Sequence, residues 1–256
     1  MAWLPSTEPW TPPENLRERL KRIVLSPKQQ LRRIVARELR RGEPELQFIS
    51  SLVDGSRNAI DVGANRGVWA DCLARHCAHV FAFEPNPKMF AFLSAACADN
   101  VVPSALALSD EAGEATLRIP RTVRGYSNQQ ASLALRADGK FSEFGELRVT
   151  TARLDDLDLP PCGFIKIDVE GHEAAVLRGA RHLIARDRPV LLIEMEQRHT
   201  GEPIEESLQA VIAMGYSATF LRGGSETPIS AFDPDADHRD RVERPGYVFN
   251  FIFRSN

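Results

Sequence analysis

Cysteine is scarce: four of 256 residues, Cys72, Cys77, Cys97 and Cys162, with no C-x-x-C pair among them. Cys72 and Cys77, five apart, do not share a clean helix face. That excludes a disulfide scaffold and argues against a zinc site, so the four are expected to be small hydrophobes in a reducing compartment. Long apolar runs are also missing. The best, Pro189 to Glu194, is strand length, far short of the roughly 20 residues of a membrane span. The N-terminus, Met-Ala-Trp-Leu-Pro, lacks the basic region and apolar core of a secretory signal. The expectation is a cytoplasmic protein with no membrane partner. Charge of one sign is absent overall, with 32 Lys and Arg against 35 Asp and Glu, net −3. A chain coated for nucleic-acid binding would look different.

What is present is an ordinary globular composition, 43% hydrophobic and 26% charged. The length suits one large domain. The charge is uneven: Asn15 to Arg41 holds ten basic and two acidic residues, so the remainder is acidic. Residues 1–13, rich in proline, read as an irregular arm. Leu16, Leu20, Ile23 and Val24, then Leu31, Ile34, Val35 and Leu39, recur at helical spacing. Ser26-Pro27 marks a break with a cap, and Gly42 a stop. We therefore divide the chain into a helical appendage at 1–44 and a main domain at 45–256.

In the main domain, short apolar runs alternate with amphipathic stretches. Strands are expected at 59–62, 79–83, 101–108, 163–168, 190–194, 216–221 and 246–253, with a β-extension at 114–119. Helices are expected from 67 to about 76 and at 86–99, 173–185 and 204–214. Such alternation predicts an α/β fold, a mostly parallel sheet covered by helices on both faces. Residues 120–148 are polar and irregular, and together with 222–245 are expected to shape an acceptor pocket.

Ligands of doubly wound sheets bind beyond the C-terminal strand ends. Three such ends carry chemistry. Asp61-Val-Gly63-Ala-Asn65-Arg-Gly67 is not the G-x-G-x-x-G nucleotide fingerprint. Gly63 suits a sharp turn and Gly67 a close helix, while a carboxylate at Asp61 would repel a pyrophosphate. It suits a cationic, phosphate-free ligand such as S-adenosylmethionine. Glu84, in Phe83-Glu-Pro-Asn-Pro87, can accept from ribose hydroxyls. Ser109 and Asp110 end the third strand, where they could bracket an adenine edge. A second constellation follows at Lys166-Ile-Asp168-Val-Glu170-Gly-His-Glu173, where alternation puts Lys166, Asp168 and Glu170 on one side. Glu194, Glu196 and His199 add polar groups at the same edge. The remaining histidines, His172 among them, read as structural or solvent-facing, and Trp3, Trp10 and Trp69 as packing anchors.

These blocks, with Leu154-Asp-Asp156 and Val176-Leu-Arg-Gly-Ala180, resemble the FkbM-type methyltransferases over roughly residues 45–253. The resemblance implies a class I, Rossmann-like, seven-stranded and mostly parallel sheet with an antiparallel C-terminal strand inserted beside the sixth, behind an N-terminal helical extension. It also implies S-adenosylmethionine as cofactor and O-methylation of a sugar, polyketide or other secondary metabolite. By matching position, Asp61, Gly63, Ala64, Asn65 and Gly67 would contact the methionine moiety. Glu84 and Pro85 would lie at the ribose, Ser109 and Asp110 near adenine, and Asp168 and Glu170 at the methyl-transfer site.

An alcohol is a poor nucleophile, so a base within reach should help. Asp168 and Glu170 lead, with His199 third. Asp168, Glu170 and Glu194 could instead hold Mg²⁺. The metal-free version is preferred. The expected partner is a small hydroxyl acceptor, not nucleic acid, and the basic helices are read as packing on the domain or on a second copy. An S-adenosylmethionine-binding module without turnover, and a methyltransferase for RNA or a non-oxygen acceptor, are the alternatives.

Overall fold

The computed structural model describes residues 10–14, 23–123, 125–134, 141, 143–242 and 244–256. Leu16, Leu20 and Trp3 of the appendage lie outside them. The first strand, Asn58–Val62 (β1), is apolar on both faces apart from Asp61. That pattern belongs to the middle of a sheet covered on both sides. Val80–Phe83 (β2) and Val101–Ser104 (β3) follow, then Ala107–Leu108 (β4), Gly113–Thr122 (β5), Gly125–Tyr126 (β6) and Phe144–Ala152 (β7). Cys162–Ile167 (β8), Val190–Glu194 (β9), Tyr216–Arg222 (β10), Ser225–Pro228 (β11) and Asn250–Ser255 (β12) complete the strands.

The large sheet has the order β11-β10-β12-β9-β8-β1-β2-β3. β3, β2, β1, β8 and β9 run parallel, and β12 lies antiparallel between β9 and β10. The sheet therefore has one strand more than expected. β11 returns from β10 through Gly223 and Gly224, with φ +59° and +79°, the two positive values a tight hairpin turn requires. Alternate residues feed two cores. Ile60, Ile165, Leu191 and Phe251 face helices Glu173–Gly179, Arg181–Asp187 and Ile204–Ile212. Ala59, Phe164, Leu192 and Ile252 face Pro27–Arg41 (α1), Val68–Leu73 (α2) and Pro87–Ala96 (α3).

α1 begins as its sequence predicts. Ser26 accepts from the Gln29 amide and the Gln29 side chain accepts from the Ser26 amide, a reciprocal cap with Pro27 next to it. Leu31 and Val35 are buried in the same core as Leu73 and Leu93, so this helix packs on the domain itself.

Three expectations need correction. The strand expected at 101–108 is two. β3 is the sheet edge, where Pro103 costs no ladder bond, and the chain then leaves, so that β4 pairs with β7 instead. The helix expected at 173–185 breaks at Ala180. The Asp155 carboxylate accepts from the His182 and Leu183 amides and starts the second helix. The strand expected from 246 begins at Asn250, because Tyr247 packs on His238 and Phe249 on Tyr247 ahead of the strand.

Among its described residues, the segment read as irregular at 120–148 holds the end of β5, β6 and the start of β7. β5 pairs antiparallel with β7 over eight residues, and β4-β7-β5-β6 form a second sheet with its own core of Ala107, Leu117, Ile119, Leu147 and Val149. Trp10 packs edge-on to Tyr126 on this layer.

Candidate active site

A cavity of about 670 Å³ opens at the C-terminal ends of β1, β2, β8 and β9. The turn after β1 forms its base. Gly63 has φ +83°, and a Cβ there would lie 1.8 Å from the Asp168 carbonyl oxygen, so only glycine lets the two strand ends meet. The Gly63 and Ala64 amides both donate to the Phe83 carbonyl, at 3.0 Å each. Gly67, also at φ +83°, brings α2 against Leu93 of α3.

Glu84 is buried at the tip of β2, with its carboxylate accepting from the Asn65 and Asn86 amides at 2.7 Å each. Burial nonetheless pushes its pKa up to about 7. Asp61 is deeper, 1% exposed. Its carboxylate takes the Ala70 amide, but Oδ2 has no hydrogen-bond partner among the described residues. Burial raises its pKa to about 7 against the pull of Lys166. An orphaned oxygen at this depth is costly unless a donor arrives.

At the end of β8, Lys166 is buried and its Nζ lies 3.0 Å from Asp168 Oδ2 and 3.9 Å from Glu43. Burial pulls the ammonium down, but Asp168, Glu43, Glu194 and Asp61 outweigh it and hold its pKa above the ordinary lysine value. Glu170 sits at φ +54°, a left-handed position unusual for a side chain with a Cβ. Its backbone carbonyl accepts from Ser132 Oγ at 2.7 Å. Burial, then the neighbouring Asp168 and Glu196, push Glu170 up to about 8. Burial and Asp168 likewise hold Glu194 well above the usual carboxylate range. Oxygens of Asp168, Glu170 and Glu194 lie within 4.8 Å of one another. That spacing could admit a divalent cation, and Lys166 already brings one positive charge to the group.

Asp61, Gly63, Ala64, Asn65, Glu84, Pro85, Asp168, Glu170 and Glu194 all line this cavity. Four expected site residues stand off its wall. Gly67 is turned into the helix contact described above. Ser109 and Asp110 lie behind His172, whose Nε2 is 2.9 Å from Ser109 Oγ, while Asp110 is held by Arg178 at 2.8 Å. His199 is behind Glu170, with Nε2 3.2 Å from its carboxylate. Of the two segments expected to shape the pocket, 126–133 crosses its mouth, where Asn128 Oδ1 accepts from Asn86 at 2.9 Å. None of the described residues of the 222–245 segment lines it. Those residues fold against the far sheet edge, with Phe232 packed on Phe220 and Phe251.

Sequence reasoning missed two wall residues. His172 was read as structural, because nothing in its spacing shows that the turn after β8 aims it inward. Glu43 belongs to the appendage, yet its Oε2 accepts from Trp69 Nε1 at 3.2 Å and from Asn250 Nδ2 at 3.1 Å. Only the docking of α1 brings it to the site, and no local signal marks it.

The sheet order and the strand-tip acids define a class I methyltransferase fold. Residues 61–234 match the methyltransferase FkbM domain, about two thirds of the chain, and the chain belongs to that family. A crystal structure of methyltransferase FkbM from Methylobacillus flagellatus KT superposes with TM-score 0.51 at 16% identity, over 82% of this chain and 47% of that one. The hexuronic acid methyltransferase AglP of Haloferax volcanii is 34% identical over 126 residues, 46% of this chain and 48% of that protein. The chain thus spans about half the length of each of these relatives. Among the described residues, no helix is long and apolar enough to cross a membrane.

Proposed function

We propose that the protein is an S-adenosylmethionine-dependent O-methyltransferase acting on a hydroxyl of a sugar or a similar small polyol. The family supports methyl transfer. The name of the Haloferax relative, a hexuronic acid methyltransferase, supports a saccharide acceptor. The observation that carries the reading is the joint presence, in one cavity, of an orphaned buried Asp61 oxygen, Glu84, and the Asp168–Glu170–Glu194 group.

The residues fit a cationic, phosphate-free cofactor. Asp61 Oδ2 lacks a donor, which an α-ammonium group would provide, and Glu84 keeps lone pairs for ribose hydroxyls. Asn65 and Ala64 would lie along the same stretch. When bound, S-adenosylmethionine supplies the electrophilic methyl carbon and takes the C–S electron pair on sulfur. The protein must align an acceptor hydroxyl and take its proton as the O–C bond forms. Asp168 is fixed for this by Lys166, and Glu170 is the second acceptor in reach of the same space. His199, bonded to Glu170, would act only through it.

Asp168→Asn should lower turnover by roughly 10²–10⁴-fold, the usual worth of a positioned base, while S-adenosylhomocysteine still binds. Unchanged turnover would remove Asp168 from the mechanism. The acid trio gives one specific ground for a second version, in which a divalent ion activates the hydroxyl. Loss of activity in EDTA, restored by Mg²⁺, would select it. Stability of the methylated product in mild alkali distinguishes an ether from a methyl ester, which a uronic acid could equally yield.

A further inference from the structure

The cavity changes sign from floor to rim. Its floor is acidic, with Asp168, Glu170, Glu194 and Glu43 on the wall. Its rim carries two guanidinium groups, Arg37 from α1 and Arg66 from the turn after β1, with the Glu38 carboxylate beside Arg37. Arg37 is on the solvent side of α1 and is paired with its own neighbour, Glu38, through Nε at 3.0 Å and Nη2 at 2.5 Å. An exposed pair of this kind contributes little, so a ligand anion can take the place of Glu38 at small cost. The field around Arg37 is positive as well. α1 carries Lys28, Arg32, Arg33, Arg37, Arg40 and Arg41 against Glu38 alone.

The proposed cofactor is a net cation whose sulfonium and ammonium are served by the acids of the floor, and its own carboxylate can be met by Arg66 in the turn after β1, which leaves Arg37 of α1 without a role toward it. A neutral acceptor would gain nothing from Arg37 beyond hydrogen bonds. A polyol bearing an anionic group would satisfy both ends, with its hydroxyls toward Asp168 and Glu170 and its anion toward the rim. We infer that the acceptor is an anionic sugar derivative whose carboxylate or phosphate is bound by Arg37, so that α1 is a specificity element of the site. This rests on the methyltransferase reading above. It also assigns a function to a helix outside the matched block of residues 61–234.

The test uses the full chain with S-adenosylmethionine and three acceptors: 4-nitrophenyl glucoside, the matching glucuronide and the matching glucoside 6-phosphate. Methyl transfer is followed by S-adenosylhomocysteine release, and acceptor binding by calorimetry with S-adenosylhomocysteine present. At least one anionic glycoside should exceed the glucoside in kcat/KM by roughly 10-fold or more, the scale of one charge-assisted hydrogen-bonded contact. The more active of the two identifies the anion. The preference should shrink as salt rises. Arg37→Gln should collapse it, mainly through KM, whereas Arg40→Gln, on the same helix but off the cavity wall, should keep it. Arg37 is exposed, so its replacement leaves the core intact. Equal use of glucoside and anionic glycosides, or a preference that survives Arg37→Gln, overturns the inference and leaves the methyltransferase reading standing. Binding of none of the three also overturns it. Failure to bind S-adenosylhomocysteine at all would instead refute the underlying reading.

Discussion

Replacing Asp61 with asparagine should make the ligand-free protein more stable at pH 8 and weaken its hold on the cofactor. The folded protein keeps Asp61 protonated up to about pH 7, against an ordinary value of 3.8. Between those values the folded state therefore binds more protons than the unfolded one. Stability contributed by this group falls as pH rises through that window and levels off above it. A displacement of about three pH units at ~1.4 kcal/mol each caps the cost of the buried charge at about 4 kcal/mol. That ceiling already includes the attraction of Lys166, and the asparagine amide must itself be buried with incomplete hydrogen bonding, so a net gain of roughly 1–3 kcal/mol at pH 8 is expected. For a chain of this size each kcal/mol moves Tm by about 2–4 °C. Thermal unfolding of the wild type and Asp61→Asn, both ligand-free, at pH 5 and pH 8 reads this directly. The variant's advantage should be large at pH 8 and small at pH 5. Calorimetry should show S-adenosylhomocysteine binding about 10–100-fold weaker, the worth of a hydrogen bond to a charged group. A variant equally stable relative to wild type at both pH values, or one with unchanged affinity, would refute the assignment of an unsatisfied buried charge that waits for a donor.

Two further outcomes follow from the same geometry. If Glu170 acts as a proton acceptor, it must be ionised; since burial pushes it up to about 8, kcat/KM should rise with pH toward a midpoint near that value, and Glu170→Gln should lose that limb. Leu31, 1% exposed on α1, should cost about 2–5 kcal/mol when cut to alanine, read from denaturant unfolding. A negligible cost would mean that α1 does not share the core of the domain.

Much of this was legible in the sequence because it is local. Ser26-Pro27 specifies a helix start through its own side chain and ring. Short apolar runs at 59–62 and 163–168 specify strands. Gly63 betrays a turn because a glycine directly after an apolar run lets the chain turn sharply, and Asp61, Glu84 and Asp168 were identifiable as strand-tip acids from their order along the chain. Of the second sheet only 114–119 was legible as β, and its pairing was not, for the opposite reason. β5 and β7 present charged residues such as Arg118 and Glu146 on their outer side, and the stretch between the paired strands is polar, so the pairing register is set by contact and not by either strand's pattern.

The sequence by itself determined the family, the alternation of strands and helices, and the identity of the strand-end acids that face the cavity, because each depends on neighbours a few positions away. Only the tertiary structure decided that Glu43 and Arg37 of the appendage border the cavity and that Ser109 stands behind His172. It also decided that residues 222–245 lie elsewhere. Those placements depend on which surfaces of distant segments bury each other. Docking Leu31 and Val35 against α2 and α3 is one such event, and no spacing along the chain encodes it.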